Sequence, residues 1–434
     1  MIRSRLGIYL NVCVTASYRR GCTDALKSEL FRALAYVIGS HPVLGAVPVD
    51  DGGEIVFTRL ENIDLNQVVS FRQIQKPDEA LRSCRLDKQI EEQHNRGFTS
   101  QDPTAPFWRL QIWHDGDDSA SFVVTFCFHH SLMDTKSALT CLEDLEYALC
   151  HPASDEVTSL VATSKSMINP PLESLLGLYP SPEFLKRQKS MGEPPSHVWS
   201  GPPQNIPSTT KLSTVWLSVT DTTVLQQQCK LHGTTLTALL MSIMARSCFE
   251  ALGSDITVLY GDCAASLLRF FSEKLDDRTL GCYVTGFTHA YSRESPGIWE
   301  DARLTNNTIN DVVNRKGIDT SSSYLQTVSD IPQWLKDKQG KRRWAAWELS
   351  NVGTVSKPTG DKTGSYSIQS LLFSQSASAC AGAIKISTAS GRDKRMSLGL
   401  SYQQDIVDEV LFEQIKGNLE GWVAQVVKDA GMDT

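Results

Sequence analysis

Several things are scarce in this chain of 434 residues, and each scarcity removes a class of function. Lysine and arginine number 42 against 49 aspartates and glutamates, a net charge of -7. No basic surplus is therefore available to neutralise a phosphate backbone, and nucleic acid is not an expected partner. No run approaches the ~20 apolar residues of a membrane helix. The best segment, Leu236 to Ala245, ends at Arg246, so no membrane partner is expected. Cys-x-x-Cys pairs are missing, which removes zinc ribbons and thioredoxin-type redox sites. The 11 cysteines are odd in number and scattered, against a complete disulfide framework. Cys127 and Cys248, set among apolar residues, read as small buried thiols and favour a reducing, cytoplasmic compartment. The Gly-x-Ser-x-Gly elbow, the Gly-x-x-x-x-Gly-Lys loop and the Gly-x-Gly-x-x-Gly fingerprint are all absent, so serine-hydrolase and nucleotide chemistry lose their support.

What remains is an ordinary globular composition, 41% hydrophobic and 21% charged, in a chain long enough for two or three domains. Arg3 and Arg5 before Leu6 imitate the start of a secretory signal, but Ile8, Leu10, Val12 and Val14 alternate with Tyr9, Asn11, Cys13 and Thr15, which is strand patterning. A helix capped by Thr23 carries Leu26, Leu30, Ala33, Leu34 and Val37, with Gly39 and Pro42 as stop signals. Trp108–Trp113 and the segment from Ser121 read as a hairpin across Asp115-Gly116-Asp117-Asp118. From about Asn169 to Ser208 prolines are dense enough to block helix and central strand, which predicts a crossover. The second half resumes with a strand over Thr214–Val219, a helix to Leu231 stopped by Gly233, another from Thr235 to about Leu252, and a strand over Ile256–Tyr260. A second hairpin, Ala383–Ser387 with Met396–Tyr402, and a final helix carrying Ile406 to Val426 follow. The chain divides into 1–165, a Pro-rich crossover at 166–210, and 211–434, each half mixing α and β.

The most informative stretch is Ser121 to His130 followed by Ser131-Leu132-Met133-Asp134. Phe122, Val124, Phe126, Phe128 and His130 share one face of a strand, while Val123, Thr125, Cys127 and His129 share the other, so the two imidazoles point apart. Asp134 opens a helix carrying Ala138, Leu142, Leu145 and Leu149. Each motif residue has a plain structural role open to it: a packed interior His129, an N-cap Asp134, a turn at Ser350-Asn351-Val352-Gly353. A metal site of His129, His130 and Asp134 is not expected, because adjacent strand residues cannot both reach one ion.

The string His129-His130-x-x-x-Asp134 resembles the active-site motif of the acyltransferase superfamily that includes chloramphenicol acetyltransferase, plant BAHD acyltransferases, nonribosomal peptide condensation domains and fungal alcohol O-acetyltransferases, the last group most. Further phrases in family order carry the resemblance: Ser40–Gly45, Pro106–Arg109, Thr235–Leu240, Ser350–Gly353 and Phe373–Ser376. The resemblance implies an α/β fold with mixed sheets, in two chloramphenicol acetyltransferase-like lobes with the active site in a tunnel between them. It also implies a monomer that moves an acetyl or short acyl group from acyl-CoA to a hydroxyl of a small hydrophobic secondary metabolite. Acyl-CoA, acetyl-CoA in the simplest case, is then a co-substrate, and no permanently bound cofactor or metal is expected. His130 is the implied general base, its ordinary pKa of ~6.5 suiting proton transfer near neutrality. Asn351, Ser374 and Gln375 are implied oxyanion or substrate contacts, and His129 and Asp134 structural parts of the motif. Two alternatives stand beside this reading: ester or amide formation from an acyl carrier protein, and an altered member that binds a hydrophobic ligand or steers a cyclisation. Three departures from the family pattern bear on the choice. Thr135 stands where Gly is usual, Ala264 where an arginine for Asp134 is expected, with Arg269 or Arg278 as substitutes, and Cys282 where Asn is frequent.

Overall fold

The computed structural model describes residues 2–21, 25–52, 54–98, 105–116, 119–152, 157–203, 206–270, 275–276, 278–356 and 366–431. The expected cap Thr23 and the turn residues Asp117 and Asp118 lie outside them. In chain order the strands of the two main sheets are β1 (Asn11–Arg20), β2 (Val69–Gln73), β3 (Trp108–His114), β4 (Ser121–His129), β5 (Thr210–Leu217), β6 (Val258–Ser266), β7 (Val284–Ser292), β8 (Trp347–Thr354), β9 (Tyr366–Gln375), β10 (Ile384–Ser390) and β11 (Met396–Gln403). One sheet has five strands in the order β9-β1-β4-β3-β2, the other six in the order β7-β6-β8-β10-β11-β5. Both are mixed: β2 and β3 run parallel in the first, β8 parallel to β6 and β10 in the second.

The alternation in β4 places its two sets of side chains as expected. Phe122, Val124, Phe126 and Phe128 join the core formed with helices Leu26–Ser40 and Thr135–Cys150, whereas Val123 and Cys127 meet Leu81, Leu86 and Ile90 on the opposite face. Burial on both faces explains why the segment reads as nearly continuous apolar sequence. In the second half, helices Leu236–Ala251 and Glu409–Ala430 pack on the six-stranded sheet over a core of their own.

Three expectations need correction. The first strand begins at Asn11, not Ile8, because its partner β4 ends at His129 and Asn11 is the residue opposite it; before it lie the short helix Ile2–Arg5 and Gly7 at φ +68°. The Pro-rich crossover contains helices Leu172–Leu175 and Pro182–Ser190. Pro182 is tolerated because a first-turn residue needs no N–H partner, and the Ser181 hydroxyl caps the helix by accepting from Phe184 N–H at 3.2 Å. Ser350–Gly353 lies inside β8, where the pairing with β10 shifts between Asn351 and Gly353 and Gly353 adopts φ +83°. A turn-like sequence here makes a bulge within a strand.

The first sheet is completed by the second half of the chain. β9 pairs antiparallel with β1 while its backbone also passes close to β11. That passage requires glycine: a Cβ on Gly399 would lie 2.4 Å from the Phe373 carbonyl oxygen. Replacing Gly399 by valine should therefore lower stability by about 1–3 kcal/mol, read as an earlier midpoint in chemical denaturation. An unchanged midpoint would show that β9 and β11 are not in contact there.

Candidate active site

His130 follows the last residue of β4, half-buried at the wall of a cleft of about 2640 Å³ lined by both halves of the chain. Its Nδ1 lies 3.1 Å from the Met133 carbonyl oxygen. A carbonyl can only accept, so Nδ1 carries the proton and Nε2 keeps a lone pair. No described residue bonds Nε2. Burial lowers the His130 pKa, with Lys385 and Arg3 acting in the same direction and Asp134 opposing them. The ring is therefore neutral at pH 7, the form a proton acceptor needs.

His129 has a different set of partners. It is buried, beside Phe107 at 5.5 Å between ring centres, and its Nδ1 accepts from Ser131 N–H at 3.1 Å. Burial pulls its pKa down to about 3. Asp134 caps helix Thr135–Cys150: Oδ1 accepts from the Ser137 backbone N–H at 2.9 Å and from its hydroxyl at 3.0 Å. Oδ2 accepts from Tyr283 N–H at 3.1 Å, and Asp134 N–H donates to the Gly281 carbonyl at 2.9 Å. The carboxylate thus ties the histidine loop to the strip preceding β7 in the other half.

A polar row crosses the six-stranded sheet beneath the cleft. Thr288, Asp262, Glu348 and Lys385 are successive cross-strand partners on β7, β6, β8 and β10, so their side chains share a face. Lys385 Nζ lies 3.0 Å from a Glu348 oxygen and 4.8 Å from the centre of the Tyr9 ring, which is itself 5.9 Å from the His130 ring. Burial pushes Glu348 up, but Lys385 outweighs it and holds the carboxyl below its ordinary value. Among the described residues Asp262 has only the Thr288 hydroxyl, at 2.6 Å, as a hydrogen-bond partner, and burial lifts it to about 7. The Tyr9 hydroxyl donates to Gln375 Oε1 at 3.3 Å, and burial keeps that phenol protonated.

The alcohol acetyltransferase family model matches residues 60–415, most of the chain. The chain belongs to the alcohol acetyltransferase family. Among curated relatives, the Aspergillus fumigatus protein described as "Probable alcohol acetyltransferase crmB" is 26% identical over 95% of this chain and 94% of its own length. Among solved structures, the trichothecene 15-O-acetyltransferase TRI3 of Fusarium sporotrichioides matches with a TM-score of 0.70 at 13% identity, over 98% of this chain and 92% of that one. The first condensation domain of the CDA synthetase matches at 0.67 and 9% identity, over 99% and 94%. The two-lobed fold expected from the sequence is the fold of this acetyltransferase, and the enzyme is an acyltransferase.

Of the residues the sequence singled out, His130, Gln375 and Asn351 line the cleft, as do the more deeply buried His129 and Asp134. Ser374 does not join them. It points to the other side of β9, where its hydroxyl lies 2.8 Å from Nε2 of the buried His94. The departures also find their places. Thr135 opens its helix without a positive φ, so no glycine is needed there. Neither expected arginine reaches Asp134: Arg278 pairs with Glu143 and Asp144, and Arg269 stands exposed at the cleft wall. Ser137 and the Tyr283 amide satisfy the carboxylate instead. Cys282 opens onto the cleft with Sγ 3.7 Å from His130 Nδ1, the nitrogen whose proton is already engaged. Protein walls around that thiol push it up to about 12, so it is a neutral neighbour and not an ion-pair partner. Among the described residues no group of three His, Cys, Asp or Glu side chains is placed to hold a metal ion, and no helix is long and apolar enough to cross a membrane.

Tyr9, Asp262, Glu348 and Lys385 were given no site role from sequence. Their signal was present, since the last three are single charged residues inside runs that otherwise read as buried strand.

Asp134→Ala removes a buried cap and an interlobe tie together, and should cost about 1–3 kcal/mol and also reduce turnover. A variant with unchanged melting temperature would contradict the tie. Cys282→Ala should retain most activity; a loss as deep as that of a His130 variant would mean that the thiol takes part in the chemistry.

Proposed function

We propose that this acetyltransferase moves an acetyl or other short acyl group from acyl-CoA to a hydroxyl of a small hydrophobic alcohol, by direct attack in a ternary complex. The observation that carries the reading is the tautomer of His130, with Nδ1–H held by the Met133 carbonyl and Nε2 open at the cleft. His130 Nε2 takes the hydroxyl proton as the alcohol oxygen attacks the thioester carbonyl. A C–O bond forms, the tetrahedral oxyanion collapses, the C–S bond breaks, and the departing thiolate recovers the proton from the imidazolium. Gln375 and Asn351 remain candidates to donate to the oxyanion; Ser374, engaged with His94, is not proposed for it. The Tyr9 hydroxyl already spends its one proton on Gln375 Oε1 and is not proposed as a donor to the oxyanion.

Support for an altered, non-acylating member came from the missing arginine, and that support weakens once Ser137 and Tyr283 are seen to hold Asp134. A carrier-protein donor would use the same base, so the donor is settled by assay and not by His130.

Free-thiol release from acetyl-CoA with a panel of hydrophobic alcohols should be alcohol-dependent and fall by about a hundredfold or more in His130→Ala, with the fold retained by circular dichroism. Turnover unaffected by the substitution would exclude His130 as the base; release from an acylated carrier protein but never from acetyl-CoA would replace the donor. Because burial lowers the His130 pKa, the base stays neutral until the pH falls through that lowered value. The acid limb of kcat/KM should therefore lie below the ordinary histidine value of ~6.5. A limb above it would contradict the burial of the ring.

A further inference from the structure

One cation buried in the cleft wall is left without a hydrogen bond among the described residues. Arg343 is only 5% exposed and lines the cleft, yet its Nε, Nη1 and Nη2 have no hydrogen-bond partner among the described residues. The other arginines buried to this degree are answered: Arg20 by Glu29 at 2.8 Å, Arg109 by the Gln93 side chain and by the Gln93 and Arg96 carbonyls. Burying a guanidinium without a counter-charge is costly, and proteins seldom leave one so.

The position is held firmly by its neighbours in sequence. Arg342 donates to the Pro194 carbonyl at 3.2 Å and to that of Val198, the Trp344 indole N–H donates to Gly192 at 2.8 Å, and the Arg343 carbonyl accepts from the Ser200 hydroxyl. The crossover between the halves thus fixes the strip 342–344, while the Arg343 side chain is spared for the cleft. Burial lowers its pKa only to about 10, so it is charged at neutral pH. Lys338 and Arg3 act together with Arg343 on the Cys380 thiol. Lys338, its Nζ 3.8 Å from the centre of the Trp334 ring, and Arg3 line the same cavity. Cys380, the thiol nearest to Arg343 electrostatically, is pushed up by burial and supplies no anion. Glu348 is already taken by Lys385, and Asp262 is bonded to Thr288.

We propose that Arg343, supported by Lys338 and Arg3, forms a subsite of the cleft that receives an oxyanionic group of a substrate, a phosphate or a carboxylate. A planar guanidinium presents paired N–H donors that match two oxygens of either group. The chemistry has two sources in the proposed reaction: the phosphates of a coenzyme A donor, or a carboxylate carried by the acceptor alcohol. The inference extends the acyl-transfer reading, but affinities need no turnover, so the two fail separately.

Titration calorimetry on the full chain separates the sources. Wild type, Arg343→Met and Arg343→Lys are titrated with coenzyme A, with pantetheine, which lacks the phosphates, with ω-hydroxydecanoate and with its methyl ester. A phosphate subsite gives wild type about a tenfold or greater preference for coenzyme A over pantetheine that disappears in Arg343→Met. A carboxylate subsite gives the same pattern for the hydroxy acid over its ester. Arg343→Lys, which keeps the charge without the fork, should lose part of the preference, and it carries the test if the methionine variant does not fold. No anion preference in wild type with either pair, or a preference that survives the substitution undiminished, overturns the subsite.

Discussion

The carboxylate of Asp134 is the tie on which the rest of the site hangs. One of its oxygens closes the first turn of a helix, and the other crosses to a backbone amide in the opposite half. Between cap and strand end lie only four residues, His130 among them, and another, Met133, offers the carbonyl that decides which imidazole nitrogen of His130 is free. A structural bond thereby sets a chemical property. The return bond from Asp134 N–H to Gly281 makes the tie double, so the loop is fixed against the second half by main chain on both sides. Main-chain partners are indifferent to side-chain substitution, which is why the loop holds its place without an arginine at Ala264.

The cleft concentrates charge where solvent is scarce. Lys385 and Glu348 neutralise one another, Asp262 is lifted towards neutrality, and the imidazoles are driven to their neutral forms. Each group settles in the state that costs least on burial, by pairing, by holding a proton or by losing one. Arg343 has none of these exits, because a guanidinium keeps its proton and no acid among the described residues bonds to it.

Much of this was legible in sequence, for reasons that differ by element. β4 was readable because burial on both faces leaves a nearly continuous apolar run, and the helix from Thr135 because its cap and its apolar stripe agree. His130 could be named because the resemblance rests on residues adjacent in sequence. The elements that escaped were those whose identity depends on partners far along the chain. β9 starts as an alternating strand, Tyr366 and Ile368 against Ser367 and Gln369, but Ser370 breaks the alternation before the apolar run Leu371–Phe373, so neither pattern is long enough to announce the strand that lies beside β1. Ser374 and Gln375 are neighbours in a motif, and period two sends them to opposite sides of the sheet, one to His94 and one to the cleft. The partners of Asp134 were unreadable because a backbone amide has no letter in the sequence.

The loan of β9 to the first sheet bears on how this protein is made. Residues 366–375 emerge from the ribosome when most of the chain is already outside, and until then one edge of β1 offers its N–H and C=O groups to any passing strand. A first half made before then can assemble four strands of the sheet and not the fifth. Its core closes on one side only when the last quarter of the chain arrives, and a chain ending at the crossover keeps an open strand edge, the kind of edge that pairs with foreign strands.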